Sequence, residues 1–126
     1  MSKIKVGIER YMDGPLITGS IIISSFMFPP EFIGFQGHFP ANKVLPGACQ
    51  IQCVISTIEK ALEKRLILKE ILLAKYIAPV MPGDKVTCTV SGVSDAGSEF
   101  IYKACIAKDA VKIADFKLRV CLSDAI

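Results

Sequence analysis

The chain has 126 residues, of which 52% are hydrophobic and 21% are charged. This length and composition suit a single domain with one buried core, which we assign to residues 1–126, and they exclude an intrinsically disordered polypeptide. The formal net charge of +3 is too small to indicate a nucleic-acid-binding protein, because such proteins normally carry a concentrated basic face.

The N-terminal part of the chain contains no predicted secretory signal and no predicted membrane span. Its first residues, MSKIKV, carry charge and lack the apolar core and cleavage site of a signal peptide. The most apolar stretch, residues 16–28, is interrupted by Gly19 and by several hydroxyl side chains. It is also shorter than the roughly 20 apolar residues that cross a bilayer as a helix. We therefore expect a cytoplasmic protein that does not enter a membrane, in which residues 16–28 form one buried β-strand.

A long irregular segment is predicted at residues 29–46. It contains Pro29, Pro30, Pro40 and Pro46, together with the only histidine of the chain, His38. Proline stiffens the backbone, and irregular segments of this length are uncommon in small domains unless they carry function. We therefore expect this segment to hold part of a functional site.

One convincing helix is predicted at residues 47–64. Its apolar side chains follow the three-and-four spacing of a buried helical stripe: Ile51, Val54, Ile55, Ile58 and Leu62. Pro46 precedes its first turn, and basic side chains at its end suit the helix dipole. This helix must bury its apolar stripe against another layer of the structure.

Four strands are predicted after the helix. Residues 66–78 form a long apolar run that ends at Pro79, and the stretches 86–90, 100–106 and 116–122 alternate apolar with polar side chains. Turn signals lie at residues 95–98 and 108–110. Strands joined by short turns form an antiparallel sheet. The expected fold class is therefore α+β, with an antiparallel sheet wrapped around one long central helix.

The cysteines do not indicate a metal site or a disulfide framework. Their number is odd, and no secretory signal is expected: Cys49, Cys53, Cys88, Cys105 and Cys121. This pattern is typical of reduced, largely buried side chains in a cytoplasmic protein. Zinc normally takes four ligands, and a single histidine is available to help, so no metal is expected.

His38 is the first candidate catalytic residue. The prolines around it hold it close to the start of the predicted helix, where unpaired N–H groups can polarise a carbonyl oxygen. A neutral imidazole can take or give a proton near neutral pH. A base beside a carbonyl-polarising group is what enolisation next to a thioester requires. A histidine that only makes structural hydrogen bonds is the alternative that these residues leave open.

Two motifs resemble those of a known family. Residues 35–40 read FQGHFP, residues 45–47 read LPG, and residues 79–84 read PVMPGD. Together they closely resemble the FabA/FabZ-like beta-hydroxyacyl-[acyl carrier protein] dehydratases of fatty-acid synthesis, over roughly residues 24–122. The resemblance implies a hotdog fold, a homodimer with two sheets joined edge to edge, and in some members a hexamer. It also implies a tunnel along the helix for an acyl chain on the phosphopantetheine of acyl carrier protein or coenzyme A. No further cofactor is implied.

The resemblance also assigns roles to individual residues. It implies that His38 is the catalytic base and that the backbone N–H of Gly47 holds the thioester carbonyl. The predicted substrate-contacting residues are Phe39, Val44, Pro46 and Gln50. The catalytic partner on the helix comes from the other subunit.

That partner is where the sequence departs from the family. The family has Glu or Asp fourteen positions after the histidine, and this chain has Gln52. An amide does not titrate in the useful range, although it can hold a hydroxyl group or a water. The next carboxylate on the helix, Glu59, lies two turns away, about 10 Å along the axis. Three functions stay open: a slow or diverged dehydratase, a hotdog thioesterase with Gln52 placing water, and a noncatalytic acyl-binding subunit.

Overall fold

The computed structural model describes residues 2–35 and 43–123, apart from the side chains of residues 95 and 96. Two α-helices, a short 3₁₀-helix at Ile33–Phe35 and six strands make up this part of the chain. The helices and strands, in chain order, are α1 (Lys3–Arg10), β1 (Met12–Thr18), β2 (Ile21–Met27), α2 (Gly47–Leu62), β3 (Leu66–Tyr76), β4 (Lys85–Ala96), β5 (Glu99–Lys108) and β6 (Val111–Leu122).

The strands form one antiparallel sheet in the order β1-β2-β4-β5-β6-β3. Helix α2 contacts β1, β2, β3 and β4, and its Val54 and Ile58 are fully buried. The opposing sheet residues are buried as well, including Val90 on β4 and Leu118 on β6. The predicted α+β class and the hotdog arrangement, a sheet around one long helix, are confirmed.

Helix α2 begins at Gly47, as predicted, and ends two residues earlier than expected. Glu63 follows its last residue in the left-handed conformation, with φ of 53°. The Lys64 N–H then donates to Glu59 O at 3.2 Å. A left-handed residue in this position ends a helix, because it turns the following N–H groups back to donate to carbonyl oxygens of the last helical turn.

The prediction of one strand over residues 16–28 is wrong. Strand β1 ends at Thr18, a turn follows at residues 19 and 20, and β2 starts at Ile21. Gly19 has φ of +60°, so glycine lets the chain reverse where the apolar pattern suggested continuity. Helix α1 was not expected either. Ile8 is buried, and Ile4 and Tyr11 pack against the same core at helical spacing, a short stripe that sequence reasoning missed.

The two predicted hairpin turns are present. Gly97, with φ of +68°, lies in the β4–β5 turn, and Asp109 and Ala110 both have positive φ in the β5–β6 turn. Strand β3 instead reaches the far side of the sheet and pairs with β6. It is an edge strand with both faces largely exposed. Its exposed large apolar side chains include Ile67, Leu68, Ile71, Leu73 and Tyr76.

All five cysteines have free thiols, and Cys49, Cys53 and Cys88 are buried. Burial raises the pKa of the Cys88 thiol to about 12, so this thiol is protonated and unreactive at neutral pH. Within residues 2–35 and 43–123, no three metal-binding side chains cluster together. In the same part of the chain, neither helix has the length and apolar character needed to traverse a bilayer.

Candidate functional site

A pocket of ≈ 370 Å³ opens at the start of helix α2. Its lining residues are Val44, Leu45, Pro46, Gly47, Gln50, Tyr76, Ile77, Ala78 and Pro79. The LPG segment and the start of the PVMPGD segment, which lie about thirty residues apart in the chain, therefore meet at one place. The backbone joins them directly, because the Leu45 N–H donates to Val80 O at 2.8 Å.

The start of helix α2 lacks a side-chain cap. Pro46 occupies the N-cap position and provides no capping hydrogen bond. Its carbonyl oxygen accepts from the Cys49 and Gln50 N–H groups at 3.0 and 3.1 Å. For the Gly47 N–H, the described residues supply no acceptor. The first N–H groups of a helix carry a partial positive charge, so this end can hold a carbonyl or anionic oxygen.

Tyr76 covers Gly47 so closely that a side chain at position 47 would have to displace the tyrosine. A Cβ atom on Gly47 would lie 2.5 Å from the Tyr76 hydroxyl oxygen and 2.6 Å from its Cζ. The tyrosine ring is held edge-on against Phe116, with centroids 5.5 Å apart. Partial burial raises the pKa of the Tyr76 phenol, so its hydroxyl stays protonated at neutral pH and can donate a hydrogen bond.

Tyr76 is a site residue that sequence reasoning missed. It lies three residues before the PVMPGD segment, at the end of β3. Its position next to the PVMPGD segment was the one signal in the sequence that could have identified it. Only the pairing of β3 with β6 brings the hydroxyl over the helix start.

We expect Gly47→Ala to lower turnover by about 10²-fold, because the added methyl group must displace Tyr76, and a shift of about 1 Å at a site can have that effect. The measurement is kcat for the reaction proposed below, with circular dichroism to confirm folding. Gly92→Ala is the matched control, since its Cβ would have Tyr102 Cε1 as nearest neighbour at an ordinary 3.8 Å. Equal activities of the two variants would show that close packing at Gly47 is unimportant.

Gln50 lines the same pocket and is 3% exposed. Its Nε2 donates to Leu45 O at 3.4 Å, while no donor among the described residues reaches its Oε1. A buried acceptor without a partner costs about 1–3 kcal/mol. Such a group suits a site in which a ligand completes the hydrogen bonding.

The second motif is held by Asp84. Its Oδ2 accepts from the Met81 N–H at 2.9 Å, and its Oδ1 accepts from Lys108 Nζ at 2.7 Å. The hydrogen bond from Lys108 lowers the pKa of this carboxyl, so it is ionised at neutral pH. Gly83 N–H donates to Phe28 O at 2.8 Å. These bonds fix the turn that places Pro79 and Val80 opposite the helix start.

Gln52 does not line the pocket within this chain. It lies five residues beyond Gly47, about 7.5 Å further along the helix axis and on another face. Its Nε2 donates to Ser56 Oγ at 2.9 Å, and Ser56 Oγ donates to Glu9 Oε2 at 2.7 Å. The side chain therefore faces helix α1. The role that the resemblance implies for residue 52 in the other subunit's site stays a prediction.

The remaining site predictions have different outcomes. Val44, 43% exposed, and the exposed Pro46 both line the pocket. His38 and Phe39 lie outside the described residues, so their roles stay predictions. Glu59 is bound elsewhere, since its Oε1 lies 2.7 Å from Lys5 Nζ and its Oε2 accepts from the Leu66 N–H at 2.8 Å.

Four phenylalanines of β2 and of the segment that follows it form part of the core. Phe26, Phe28, Phe32 and Phe35 are each at most 4% exposed. Phe28 and Phe32 stack with ring centroids 4.6 Å apart, and Phe35 meets Phe32 edge-on at 5.7 Å. This aromatic cluster anchors both ends of the segment that runs from β2 into the 3₁₀-helix.

Comparison with known proteins gives one family. Residues 17–115 match the model of the ApeI-like proteins, described as ApeI dehydratase. The 3-hydroxyacyl-[acyl-carrier-protein] dehydratase FabZ of Gluconacetobacter diazotrophicus is 32% identical over 117 residues, which cover 86% of this chain and 71% of that protein. FabZ of Ehrlichia chaffeensis is 38% identical over 64 residues, covering 47% of this chain and 45% of that protein.

A solved structure gives the same fold. The dehydratase heterocomplex ApeI:P from Xenorhabdus doucetiae aligns with a TM-score of 0.67 and 19% identity, covering 86% of this chain and 98% of that one. Among the curated relatives it matches first, the chain spans about half of their length.

Proposed function

Because the chain belongs to the ApeI-like dehydratase family, we propose that it removes water from a 3-hydroxyacyl thioester to give the trans-2-enoyl thioester. The observation that carries this proposal is the pocket at the uncapped start of helix α2. Backbone donors, the Tyr76 hydroxyl and apolar walls meet there. This combination suits a thioester carbonyl attached to an acyl chain.

The reaction needs a base and a carbonyl-polarising group at one place. His38 takes the proton from the carbon next to the thioester carbonyl, in the role that the family resemblance assigns to it. Negative charge then develops on the carbonyl oxygen, and the N–H of Gly47 stabilises it. Fixed donors aimed at developing charge are typically worth about 10²–10³ in rate. The Tyr76 hydroxyl, beside Gly47, supplies a second protonated donor in the same region.

Loss of the hydroxyl group is the step at which this chain differs from its family. Gln52, contributed by the second subunit, holds the leaving hydroxyl but has no proton to deliver, so His38 returns the proton that it took from the α-carbon and the hydroxyl leaves as water. General acid catalysis typically contributes about 10²–10⁴ in rate, so the proposed enzyme is a slow dehydratase.

Replacing the amide by a carboxyl group tests this explanation. We expect Gln52→Glu to raise kcat for dehydration by at least about tenfold, a fraction of the full contribution of a general acid. The readout is formation of the enoyl thioester. Gln52→Asn is the control, because it changes the side chain without adding a titratable group. If Gln52→Glu leaves an inactive protein inactive, the diverged-dehydratase explanation is contradicted.

We propose a homodimer joined through strand β3. This edge presents Ile71 and Leu73, 47% and 46% exposed, on a strand of 11 residues. A long apolar edge strand aggregates unless it is paired or covered. The opposite edge, β1, is protected by Pro15 and by an irregularity in its pairing between Asp13 and Leu16. A dimer is also what the resemblance requires if residue 52 is to act in the other chain's site.

The similar structure from Xenorhabdus doucetiae is a heterocomplex, so a related chain bearing an acid at the position of Gln52 is the competing occupant of this edge. Native mass spectrometry of the purified chain distinguishes the two. A homodimer with turnover supports our proposal. A monomer that gains turnover only with such a partner contradicts it.

We further propose that the acyl group arrives on phosphopantetheine and that the protein works in the cytoplasm without another cofactor. The five free thiols are compatible with a reducing compartment. Whether the carrier is acyl carrier protein or coenzyme A, and whether dimers assemble into hexamers, are expectations taken from the family.

A turnover assay tests the function as a whole. The substrates are 3-hydroxyacyl thioesters of several chain lengths, each on acyl carrier protein and on coenzyme A, and the expected product is the enoyl thioester. Release of free thiol without enoyl product would instead indicate a thioesterase. Binding of acylated carrier protein without any turnover would indicate an accessory subunit. Either result contradicts the dehydratase proposal.

A further inference from the structure

Two hydrogen bonds connect Gln52 to a carboxylate on helix α1. Gln52 Nε2 donates to Ser56 Oγ at 2.9 Å, and Ser56 Oγ donates to Glu9 Oε2 at 2.7 Å. Ser56 is fully buried and lies one helical turn after Gln52, while Glu9 is 47 residues away from it in sequence. The side chain of Glu9 is itself only 15% exposed. The three groups therefore form a hydrogen-bond network, Gln52–Ser56–Glu9, that is largely shielded from solvent.

The chemistry of the three groups sets the direction of both bonds. An ionised carboxylate can only accept, and a serine hydroxyl has one proton to donate. Because Ser56 gives that proton to Glu9, it must accept from its other neighbour. The amide NH₂ of Gln52 is thereby turned inward, and its Oε1 is turned outward. Among residues 2–35 and 43–123, no donor reaches that oxygen.

We propose that Glu9 and Ser56 are positioning residues that fix Gln52 as a hydrogen-bond acceptor for the 3-hydroxyl group of the substrate. The inference rests on the proposed function, since it names which atom of residue 52 meets the hydroxyl. An acceptor in this place binds the hydroxyl without protonating it. A substrate or inhibitor that lacks the hydroxyl leaves Gln52 Oε1 unpaired and binds more weakly.

The same hydrogen-bond network explains why an amide occupies position 52. A carboxylate there would compete with Glu9 for the single proton of Ser56. Two acceptors would then share one donor, with two negative charges near each other. The cations nearby do not offset the repulsion between the two carboxylates. Lys5 Nζ is already paired with Glu59 Oε1 at 2.7 Å, and Lys60 Nζ lies 3.4 Å from Glu9 Oε1 on a half-exposed side chain.

Exchanging the two residues preserves both hydrogen bonds in the reverse direction. In the double variant E9Q/Q52E, the new amide at position 9 donates to Ser56, and Ser56 donates to the new carboxylate at position 52. Each donor again has one acceptor. The double variant therefore combines the family's acid with an intact hydrogen-bond network, whereas Q52E alone disrupts that network.

The kinetic test compares the full-length wild-type protein with E9Q, Q52E and E9Q/Q52E. We expect kcat of the double variant to exceed that of Q52E by at least about threefold, with KM nearly unchanged, because residues in one hydrogen-bond network couple. E9Q alone lowers kcat modestly, because a neutral amide holds the Ser56 proton less firmly than a carboxylate does. Ser56→Ala lowers kcat and removes any difference between Q52E and E9Q/Q52E. A double variant no faster than Q52E would overturn the inference.

Urea unfolding gives a readout that does not depend on turnover. We expect Q52E to lower the unfolding midpoint at about pH 7.5 and the double variant to restore it. In Q52E two carboxylates lie near each other, which raises the folded-state pKa of one of them, so stability is regained as the pH falls to about 5.5. The charged groups around this groove are Lys5, Glu9, Glu59, Lys60, Glu63, Lys64 and Arg65. Wild type and Q52E share all of them, and the double variant changes Glu9 alone among them.

The two readouts separate the possible failures. Turnover without coupling between positions 9 and 52, in either kinetics or unfolding, would overturn this inference and leave the proposed function standing. Suppose instead that positions 9 and 52 are coupled in unfolding and that none of the four proteins turns over substrate. That result would overturn the proposed function, and with it the role of the hydrogen-bond network in substrate binding.

Discussion

His38→Ala is expected to lower dehydration of a 3-hydroxyacyl thioester by at least about 10²–10⁴-fold, the range that general acid–base catalysis normally contributes. The family resemblance makes this imidazole the base that removes the α-proton. Since Gln52 cannot titrate, the histidine is expected to serve both proton transfers. The measurement is kcat and KM for formation of the enoyl thioester by wild type and variant under identical conditions.

Folding and binding have to be separated from chemistry in this experiment. His38→Gln keeps polar character without the titratable group, so it should be as inactive as His38→Ala. Both variants should retain the unfolding midpoint of wild type and bind an acyl thioester with little change. A His38→Ala protein with more than about a tenth of wild-type turnover would contradict a catalytic role for this residue.

Ile71→Lys is expected to dissociate the proposed dimer and to remove most activity. Ile71 lies in the middle of edge strand β3 and is 47% exposed in the single chain. A charge on an edge strand blocks pairing with another strand, because pairing would bury it. If residue 52 acts in the partner's site, a monomer lacks a complete site. Size-exclusion chromatography with light scattering gives the mass, and the dehydration assay gives the activity.

The other edge of the sheet offers a matched control. Ile17 on β1 is 57% exposed, so Ile17→Lys makes the same chemical change on an edge strand of similar exposure. We expect Ile17→Lys to stay dimeric and active. The dimer model is contradicted if Ile71→Lys remains a dimer. It is also contradicted if Ile17→Lys dissociates instead, since β1 would then be the edge that pairs.

Much of the architecture could be predicted because its signals are local in the chain. The apolar spacing along α2 and the alternation along β4, β5 and β6 each arise within one element. The start of α2 agrees with the structure, whereas β4 extends six residues beyond its predicted end and β6 begins five residues before its predicted start. The two-motif resemblance is confirmed by the family match over residues 17–115. Gly19 shows the limit of this reading, since one left-handed glycine divides an apolar run into two strands.

The sequence by itself determined the fold class, the family, the start of the central helix and the missing acid at Gln52. Each of these depends on residue type and spacing along a short stretch. Tertiary structure alone decided that β3 crosses to the sheet edge, that Tyr76 covers Gly47, and that Glu9 of an unpredicted helix reaches Ser56. These contacts join residues far apart in the chain, and they form because burying one apolar core selects a single arrangement of all the elements at once.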